Sequence, residues 1–441
     1  MSSWIFLAAA LLGAGLTASS WARLRHLHVL TVPYFLGAWL TGELALQHIA
    51  WQALATLVFA AFGALDAWPG RVGLGLSFAS WGALGWAHVR AASRGSKLRR
   101  SLAEQGLEGA EREEGLAPAY SFHPFHWRRK EVQRIRDLEY GPSLPGDRGR
   151  RNRLDILRPA QPGRDRPVLL QVHGGAWVTG EKEQQGQPLL YHLAARGWLC
   201  CAINYRLAPG ALFPDPVVDV KRALAWIRGH VAEFGGDPDF VCITGGSAGG
   251  HLAALAALTP EDPLFQPGFE EVDTRVAACV PFYGVYDLLD RQGIRGPSSM
   301  RPFLQRMVLR CSPQEDPELW EACSPIARIH ADAPPFLVIQ GTHDSLVFVE
   351  EARAFVAALR QKSCSRVLYL EIERAQHAFD IFRSVHSDQA VAAVTAFLEE
   401  VSAGRRSQGS APAIQDGGIQ AQPEEPDSGS EAFWKTESWS R

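Results

Sequence analysis

One serine of this chain lies among glycines in the pattern Gly245-x-Ser247-x-Gly249. Apolar, β-branched residues before the pattern predict a strand, and the Ala- and Leu-rich residues after it predict a helix. Such a turn is typical of a nucleophile elbow, which holds the serine hydroxyl above the sheet at the positive end of the helix. The flanking residues must be small because strand and helix almost touch there. A glycine-rich loop that only turns the chain or binds a phosphate has the same spacing, so the pattern alone does not identify a nucleophile.

A serine hydroxyl needs a general base, and the base needs a second group that orients it. In doubly wound α/β enzymes with such an elbow, the acid and then the histidine follow the serine, each just beyond a strand. Asp344 and His377 have these positions, so we predict that His377 accepts the Ser247 proton and that Asp344 orients His377. Asp287 also follows a predicted strand and is an alternative orienter. Other histidines lack this placement and are predicted to be structural or at the surface: His251, His343 and His386.

The residues His173-Gly174-Gly175 follow another predicted strand. Backbone N–H groups at such a turn bind the negative oxygen of a tetrahedral intermediate, and each well-placed donor contributes about 3–4 kcal/mol. We predict that this oxyanion hole is formed by Gly174, Gly175 and Ala248, the residue directly after the serine. Taken alone, His-Gly-Gly is an ordinary turn at a strand end, and the serine pattern downstream favours the functional interpretation.

Strands and helices alternate from about residue 154 onward, which predicts an α/β domain built on a doubly wound, mostly parallel sheet. The predicted strands cover residues 168–172, 199–204, 240–244, 276–282, 336–340 and 367–372. Helices are predicted at 217–234 and 251–258 from apolar residues at three- and four-residue spacing. A long polar insert at 287–324 is a candidate lid or cap.

Several motifs together resemble the hormone-sensitive-lipase-like branch of the α/β-hydrolases, the acetyl esterase/lipase and carboxylesterase relatives. These motifs are His173-Gly-Gly, Tyr205-Arg-Leu-Ala-Pro209, Phe213-Pro214, Gly245-Gly-Ser-Ala-Gly-Gly250, the Asp344 segment and His377-Ala-Phe379. The resemblance covers roughly residues 154–401 and implies hydrolysis of carboxylic esters through an acyl-enzyme, with no metal or cofactor. Ala176 stands where the family usually has a third glycine, as in the related formamidase and prenylcysteine-methylesterase types. Its N–H group is retained, so the oxyanion hole is expected to survive.

Residues 1–90 are strongly apolar and carry few charges. Apolar runs close to the membrane-spanning norm of about 20 residues occupy 4–18, 29–46, 51–65 and 72–89. Tryptophans lie toward the ends of these runs, as in an interfacial aromatic belt. Too few polar residues are present to cover a soluble helical bundle, so we predict a transmembrane helical region over 1–90, with a turn at 69–71.

Glu43, His48 and Asp66 are costly in lipid, so they are predicted to lie at span ends or turns, or else to mark a site. The basic clusters at 23–25 and 90–100 both favour the cytoplasm under the positive-inside rule. That rule requires an even number of spans between them, and the apolar runs indicate two or three. The resulting prediction is a multi-pass membrane protein with a cytoplasmic catalytic domain.

Residues 91–150 are predicted to be a charged connector, with solvated or capping helices at 97–114 and 128–139. The catalytic domain is predicted at 151–403. The tail 404–441 is rich in Gly, Ser, Gln, Pro and Glu and is predicted to be disordered.

The 441 residues carry a formal net charge of −3, with 21% charged residues and no dominant basic stripe, which argues against nucleic-acid binding. Seven cysteines occur without a Cys-x-x-Cys pair, so neither a metal site nor a disulfide framework is predicted, and a reducing compartment is favoured. We interpret the chain as a membrane-anchored serine esterase or lipase acting on a small or lipid-like ester. An amidase or formamidase on the same scaffold and a non-catalytic membrane scaffold are the alternatives, and no oligomeric state is indicated.

Overall fold

The computed structural model describes residues 1–25, 27–111, 123–149, 151–296 and 300–409. Eight strands form one sheet: β1 (Val132–Glu139), β2 (Arg153–Pro159), β3 (Arg166–Val172), β4 (Leu199–Ile203), β5 (Gly236–Gly246), β6 (Ala278–Phe282), β7 (Phe336–Gly341) and β8 (Val367–Ile372). Their order is β1-β2-β4-β3-β5-β6-β7-β8. Strands β3 to β8 are parallel to one another, and β1 and β2 pair antiparallel at one edge. The predicted doubly wound, mostly parallel sheet is confirmed.

The described helices are α1 (Ser2–Trp21), α2 (Thr31–Glu43), α3 (Ala45–Ala61), α4 (Trp68–Ser93), α5 (Gly95–Glu104), α6 (Gln187–Ala195), α7 (Asp215–His230), α8 (Ala248–Leu258), α9 (Arg301–Phe303), α10 (Pro317–Ala322), α11 (Val349–Lys362) and α12 (Val385–Gly409). Helices α7, α8 and α11 cover one face of the sheet, and α6 and α12 cover the other. Side chains of β3 alternate between the two apolar cores, since Val168 and Leu170 belong to one core and Leu169 to the other. Burial on both faces explains the continuous apolar runs of the parallel strands.

The connector differs from its prediction at 128–139, where a helix was expected and the structure has strand β1. The mixed charge of this segment belongs to an edge strand that pairs with β2, from Val132 opposite Pro159 to Glu139 opposite Arg153. Tertiary pairing overrides the local helical pattern here. The helix predicted at 97–114 is α5, which ends at Glu104, and residues 112–114 lie outside the described part of the chain.

The insert predicted at 287–324 packs into the core of the α/β domain, in its described part. Leu304, Val308 and Trp320 are buried there at 0–1% exposure, and the Cys323 carbonyl lies 2.8 Å from His251 Nε2 in α8. At the other end of the domain, α12 continues to Gly409 within the segment predicted to be disordered, and residues 410–441 lie outside the described part.

The prediction of several membrane spans is not supported. Among the described residues, α1 alone is long and apolar enough to span a membrane, and helices with these properties also occur as signal sequences. Helices α2 and α3 pass the same test only as a pair, and a bend of 92° separates them. The predicted turn at 69–71 forms the start of α4.

Helices α1, α3 and α4 pack side by side. The Trp4 and Trp68 rings at the starts of α1 and α4 lie 5.3 Å apart, and the Thr17 and Ser80 hydroxyls further along the same helices lie 2.6 Å apart. Helices α1 and α4 are therefore parallel, and Phe59 near the end of α3 stacks on Phe6 of α1.

Helix α8 and strand β3 approach each other closely at Gly249. A Cβ atom at Gly249 would lie 2.1 Å from the Val172 carbonyl oxygen, which is backbone and has little room to move. We expect Gly249→Ala to lower the free energy of unfolding by about 3 kcal/mol or more, measured by denaturant unfolding. Gly229→Ala in α7 is the matched control, because nothing lies within 4 Å of that position. Equal stability of the two variants would contradict the described packing.

Candidate active site

Ser247 lies at the turn between β5 and α8, with φ 58° and ψ −121°. A positive φ is strained for a residue with a side chain. Two hydrogen bonds hold the turn: the Ser247 N–H donates to the Phe282 carbonyl at 3.0 Å, and the His251 N–H donates to the Ser247 carbonyl at 2.9 Å. Only glycine fits at Gly245, because a Cβ there would lie 2.5 Å from the Gly249 carbonyl oxygen. This is the backbone geometry of a nucleophile elbow.

Asp344 and His377 form a buried pair at the ends of the neighbouring strands β7 and β8. His377 Nδ1 lies 2.7 Å from Asp344 Oδ2, and the two residues are 4% and 2% exposed. The other carboxylate oxygen accepts the backbone N–H groups of Leu346 and Val347, both at 2.8 Å, and the Gln340 amide donates to Oδ2 at 3.0 Å. With Nδ1 bonded to the carboxylate, Nε2 is the ring nitrogen that is available to accept a proton.

Gln376 joins the two loops that carry this pair. Its Oε1 accepts the backbone N–H of Ser345 at 2.7 Å and that of His377 at 3.0 Å. The glutamine therefore fixes the loop after β7 relative to the loop after β8. No pattern in the sequence singled it out, because a lone amide in a loop has no characteristic spacing.

Tyr283 lies between the elbow and the histidine. Its ring centroid is 4.5 Å from that of His377, and its hydroxyl is 2.6 Å from the position that a Cβ of Gly246 would occupy. The hydroxyl donates to Asp380, and burial raises the pKa of that carboxyl to about 6. Within the described part of the chain, no hydrogen bond joins the Ser247 hydroxyl to His377. Bonds of this kind often shorten only when substrate is bound.

The predicted oxyanion loop lies beside the serine. A Cβ at Gly174 would be 3.1 Å from the Ser247 Cβ, and Gly175 has a φ of 117° that favours glycine. Ala248, the third predicted donor, is the first residue of α8. The Gly174 N–H donates to Oε1 of Gln185 at 2.7 Å, so a side-chain oxygen occupies this donor. Gln185 is a second residue that the sequence did not indicate.

His173 supports the loop instead of taking part in proton transfer. Its ring stacks on Tyr205 with centroids 4.3 Å apart, and Nδ1 lies 2.7 Å from the Gly174 carbonyl oxygen. Complete burial lowers the pKa of His173 to about 4, so the ring is neutral at physiological pH.

The alternative orienter does not reach the histidine. Asp287 accepts the backbone N–H of Leu289 at 3.1 Å and pairs with the Arg291 guanidinium, whereas the partner of His377 is Asp344. His251 is structural as predicted, since Trp177 Nε1 lies 3.3 Å from its Nδ1 in the core.

Helix α2 contacts the loop that carries His377, which the sequence did not predict. The Phe35 ring lies edge-on to His377 at 6.0 Å, and Trp39 Nε1 donates to the Ala378 carbonyl at 3.0 Å. At the end of the helix, buried Glu43 accepts the Ser384 hydroxyl at 2.5 Å, and its other oxygen lies 2.9 Å from His386 Nδ1. Glu43 thus lies at a helix end, one of the two placements predicted for it.

The fold agrees with solved esterase structures. A truncated carbohydrate esterase from gut microbiota superposes with a TM-score of 0.52 at 22% identity, covering 66% of this chain and 100% of that one. Esterase B from Lactobacillus rhamnosis gives a TM-score of 0.51 at 20% identity, covering 73% and 99%. The described sheet and its flanking helices therefore have the fold of these two structures.

Comparison of sequences shows similarity to further esterases. The BD-FAE family model matches residues 154–359. The probable carboxylic ester hydrolase LipM of Mycobacterium tuberculosis is 53% identical over 271 residues, which cover 60% of this chain and 61% of that protein. The esterase LipQ of the same organism is 47% identical over 272 residues, covering 61% and 63%. These relatives are named as esterases, and the chain spans about three fifths of their length.

A fluorophosphonate probe tests whether the serine is activated. We expect the probe to label the protein covalently, because an adjacent base makes the hydroxyl nucleophilic, and Ser247→Ala to abolish the labelling seen by in-gel fluorescence. Ser143→Ala is the control, since Ser143 is an exposed serine outside the site. Labelling that survives in Ser247→Ala would rule out this residue as the nucleophile.

Proposed function

We propose that this protein hydrolyses carboxylic esters with Ser247 as nucleophile, His377 as general base and acid, and Asp344 as its orienter. The observation that carries the proposal is the buried Asp344–His377 hydrogen bond of 2.7 Å. The His377 ring contacts Tyr283, which also packs against the strained serine elbow at Gly246. Similarity to proteins named as esterases supports the ester as the scissile group.

The reaction follows from these positions. As Ser247 Oγ attacks the carbonyl carbon, its proton passes to His377 Nε2, and the Asp344 carboxylate stabilises the imidazolium. The tetrahedral intermediate breaks its bond to the alcohol oxygen, which takes the proton from Nε2 and leaves. Water then attacks the acyl-enzyme and gives a proton to Nε2, and the acid departs when Ser247 Oγ recovers that proton.

Backbone N–H groups stabilise the negative oxygen during both halves of the reaction. Gly175 and Ala248 are proposed as donors, together with Gly174 once the carbonyl oxygen of the substrate replaces Gln185 Oε1. The glutamine oxygen lies 2.7 Å from the Gly174 nitrogen, the distance expected of an oxyanion at that donor.

We also propose that residues 1–93 bind a membrane. Apart from Phe6 in α1 and Leu84 in α4, the inward faces of the helices carry mostly small or polar residues: Ser3, Ala10, Gly13 and Thr17 in α1, Gln52 and Thr56 in α3, and Gly73, Ser77 and Ser80 in α4. The outward side chains are large and apolar. Apart from Phe125 and Leu264, every exposed large hydrophobic residue in the described chain lies at or before Val89. Small, polar interiors and apolar exteriors are typical of helices that pack in lipid, and the reverse is typical in water.

Asp344→Asn tests the triad. The variant keeps the size of the side chain and favours the wrong tautomer of His377, so we expect kcat for a short p-nitrophenyl ester to fall by about 10⁴-fold. Asp287→Asn is the matched control and is expected to retain the kcat of the unchanged protein. A large loss in Asp287→Asn and a small one in Asp344→Asn would reverse the assignment.

The same assay separates the ester proposal from the amidase alternative. An amide with the same acyl group as the ester, and a formamide compared with the matching formate ester, are expected to be cleaved far more slowly than the ester. Faster cleavage of the amide by the unchanged protein would replace the ester proposal with an amidase.

Leu12→Asp tests membrane binding. Leu12 is 63% exposed in the middle of α1, where a charged residue in lipid costs about 2.5–3.5 kcal/mol. We expect the variant to be less abundant in the membrane pellet after an alkaline wash. Leu264→Asp, at an exposed leucine of the catalytic domain, is the control and should pellet like the unchanged protein. Release of the unchanged protein by the wash would contradict membrane insertion.

A further inference from the structure

Helix α2 has a different orientation from the other N-terminal helices. It is bent by 92° from α3, which packs with α1 and α4, so α2 lies across the end of this helical group. The Tyr34 hydroxyl donates to the carbonyls of Ser19 and Ala22 at the end of α1, at 3.2 and 2.5 Å. These bonds hold α2 at the end of the bundle that faces the catalytic domain.

Ion pairs fix that end of the bundle on the catalytic domain. Arg25, just after α1, pairs with Glu350 at 2.7 Å. Arg90 and Arg94, at the end of α4, pair with Glu373 at 3.1 and 2.8 Å. If α1 is inserted in a membrane, these contacts place the catalytic domain at the membrane surface and α2 in the interface plane.

One face of α2 extends the active site. Phe35 lies next to His377 and stacks on Trp39 with centroids 5.5 Å apart. Trp39 stacks on Phe382 at 5.0 Å, and Phe382 contacts exposed Phe125 at 5.4 Å. These four rings form a continuous aromatic row that begins at the catalytic histidine and ends at the protein surface.

The adjacent face of α2 is apolar and uncovered. Val32, Leu36 and Leu40 recur at four-residue spacing and are 57%, 43% and 40% exposed. Phe35 and Trp39 have the same spacing one residue earlier, so the two stripes lie about 100° apart around the helix. One short helix therefore presents apolar side chains both to the catalytic histidine and to the surroundings of the protein.

We propose that α2 is a wall of the substrate site and that the substrate is an amphiphilic carboxylic ester taken from the membrane. The alkyl chain lies along the row Phe35–Trp39–Phe382, and the ester carbonyl reaches Ser247. This inference rests on the proposed ester hydrolysis and membrane binding. A chain that moves from lipid onto aromatic rings exchanges one apolar environment for another, so extraction from the bilayer carries little penalty.

The test compares p-nitrophenyl decanoate with p-nitrophenyl acetate, using the full chain in vesicles of neutral phosphatidylcholine. We expect Phe35→Ala to lower kcat/KM for the decanoate about tenfold more than kcat/KM for the acetate, as expected for lost apolar contacts in a binding pocket. Phe35→Leu should give a smaller loss because it retains part of the apolar surface. Phe78→Ala is the matched control: this phenylalanine is 59% exposed on α4, away from the catalytic loop.

The outcomes separate the two proposals. An equal fall in kcat/KM for both esters in Phe35→Ala would mean that the ring only supports His377. An unchanged kcat/KM for both esters would mean that α2 is not part of the substrate site. Both results overturn the inference about α2 and leave the proposed ester hydrolysis intact. Absence of hydrolysis of both esters by the unchanged protein overturns the proposed function itself.

Leu36→Asp adds a second readout: we expect slower cleavage of vesicle-borne decanoate and unchanged cleavage of acetate in detergent.

Discussion

The hydrogen bond between the Asp344 carboxylate and the His377 ring is the interaction on which the rest of the structure depends. A buried carboxylate is costly unless its oxygens are paired, and here backbone N–H groups, the Gln340 amide and the imidazole share that task. The pair can form only when β7 and β8 are in register, with Gly341 opposite Ile372, because each residue lies a few positions beyond its strand. The geometry of the Asp344–His377 pair therefore depends on the correct pairing of these two strands.

The N-terminal helices contact the candidate site and also present an apolar outer surface. Most of their buried side chains are small or polar and their exposed side chains are apolar, so their packing is compatible with lipid on the outside. The bond from Trp39 to the Ala378 carbonyl and the contacts of Glu43 with Ser384 and His386 attach this region to the segment that contains His377.

The parts of the fold that are visible in the sequence are those with local signals. Buried parallel strands appear as apolar runs, the elbow appears as a glycine pattern, and Asp344 and His377 follow from their order and their strand ends. The strand at 132–139 was missed because its charges resemble a solvated helix, whereas Arg134 is bonded to buried Asp155 at 2.8 Å in the sheet. Gln185 and the α2 contacts were missed because they depend on tertiary proximity; Phe35 and His377 are far apart in the chain, and no local spacing connects them.

The central claim is that Ser247 carries the acyl group during turnover. Rapid acid quench of the enzyme mixed with an acetyl ester, followed by peptide mass spectrometry, measures this directly. We expect one acetyl group on the peptide that contains Ser247, appearing before the free acid and disappearing as the ester is consumed. An unmodified Ser247 throughout steady hydrolysis, or an acetyl group that turns over on another residue, would contradict it.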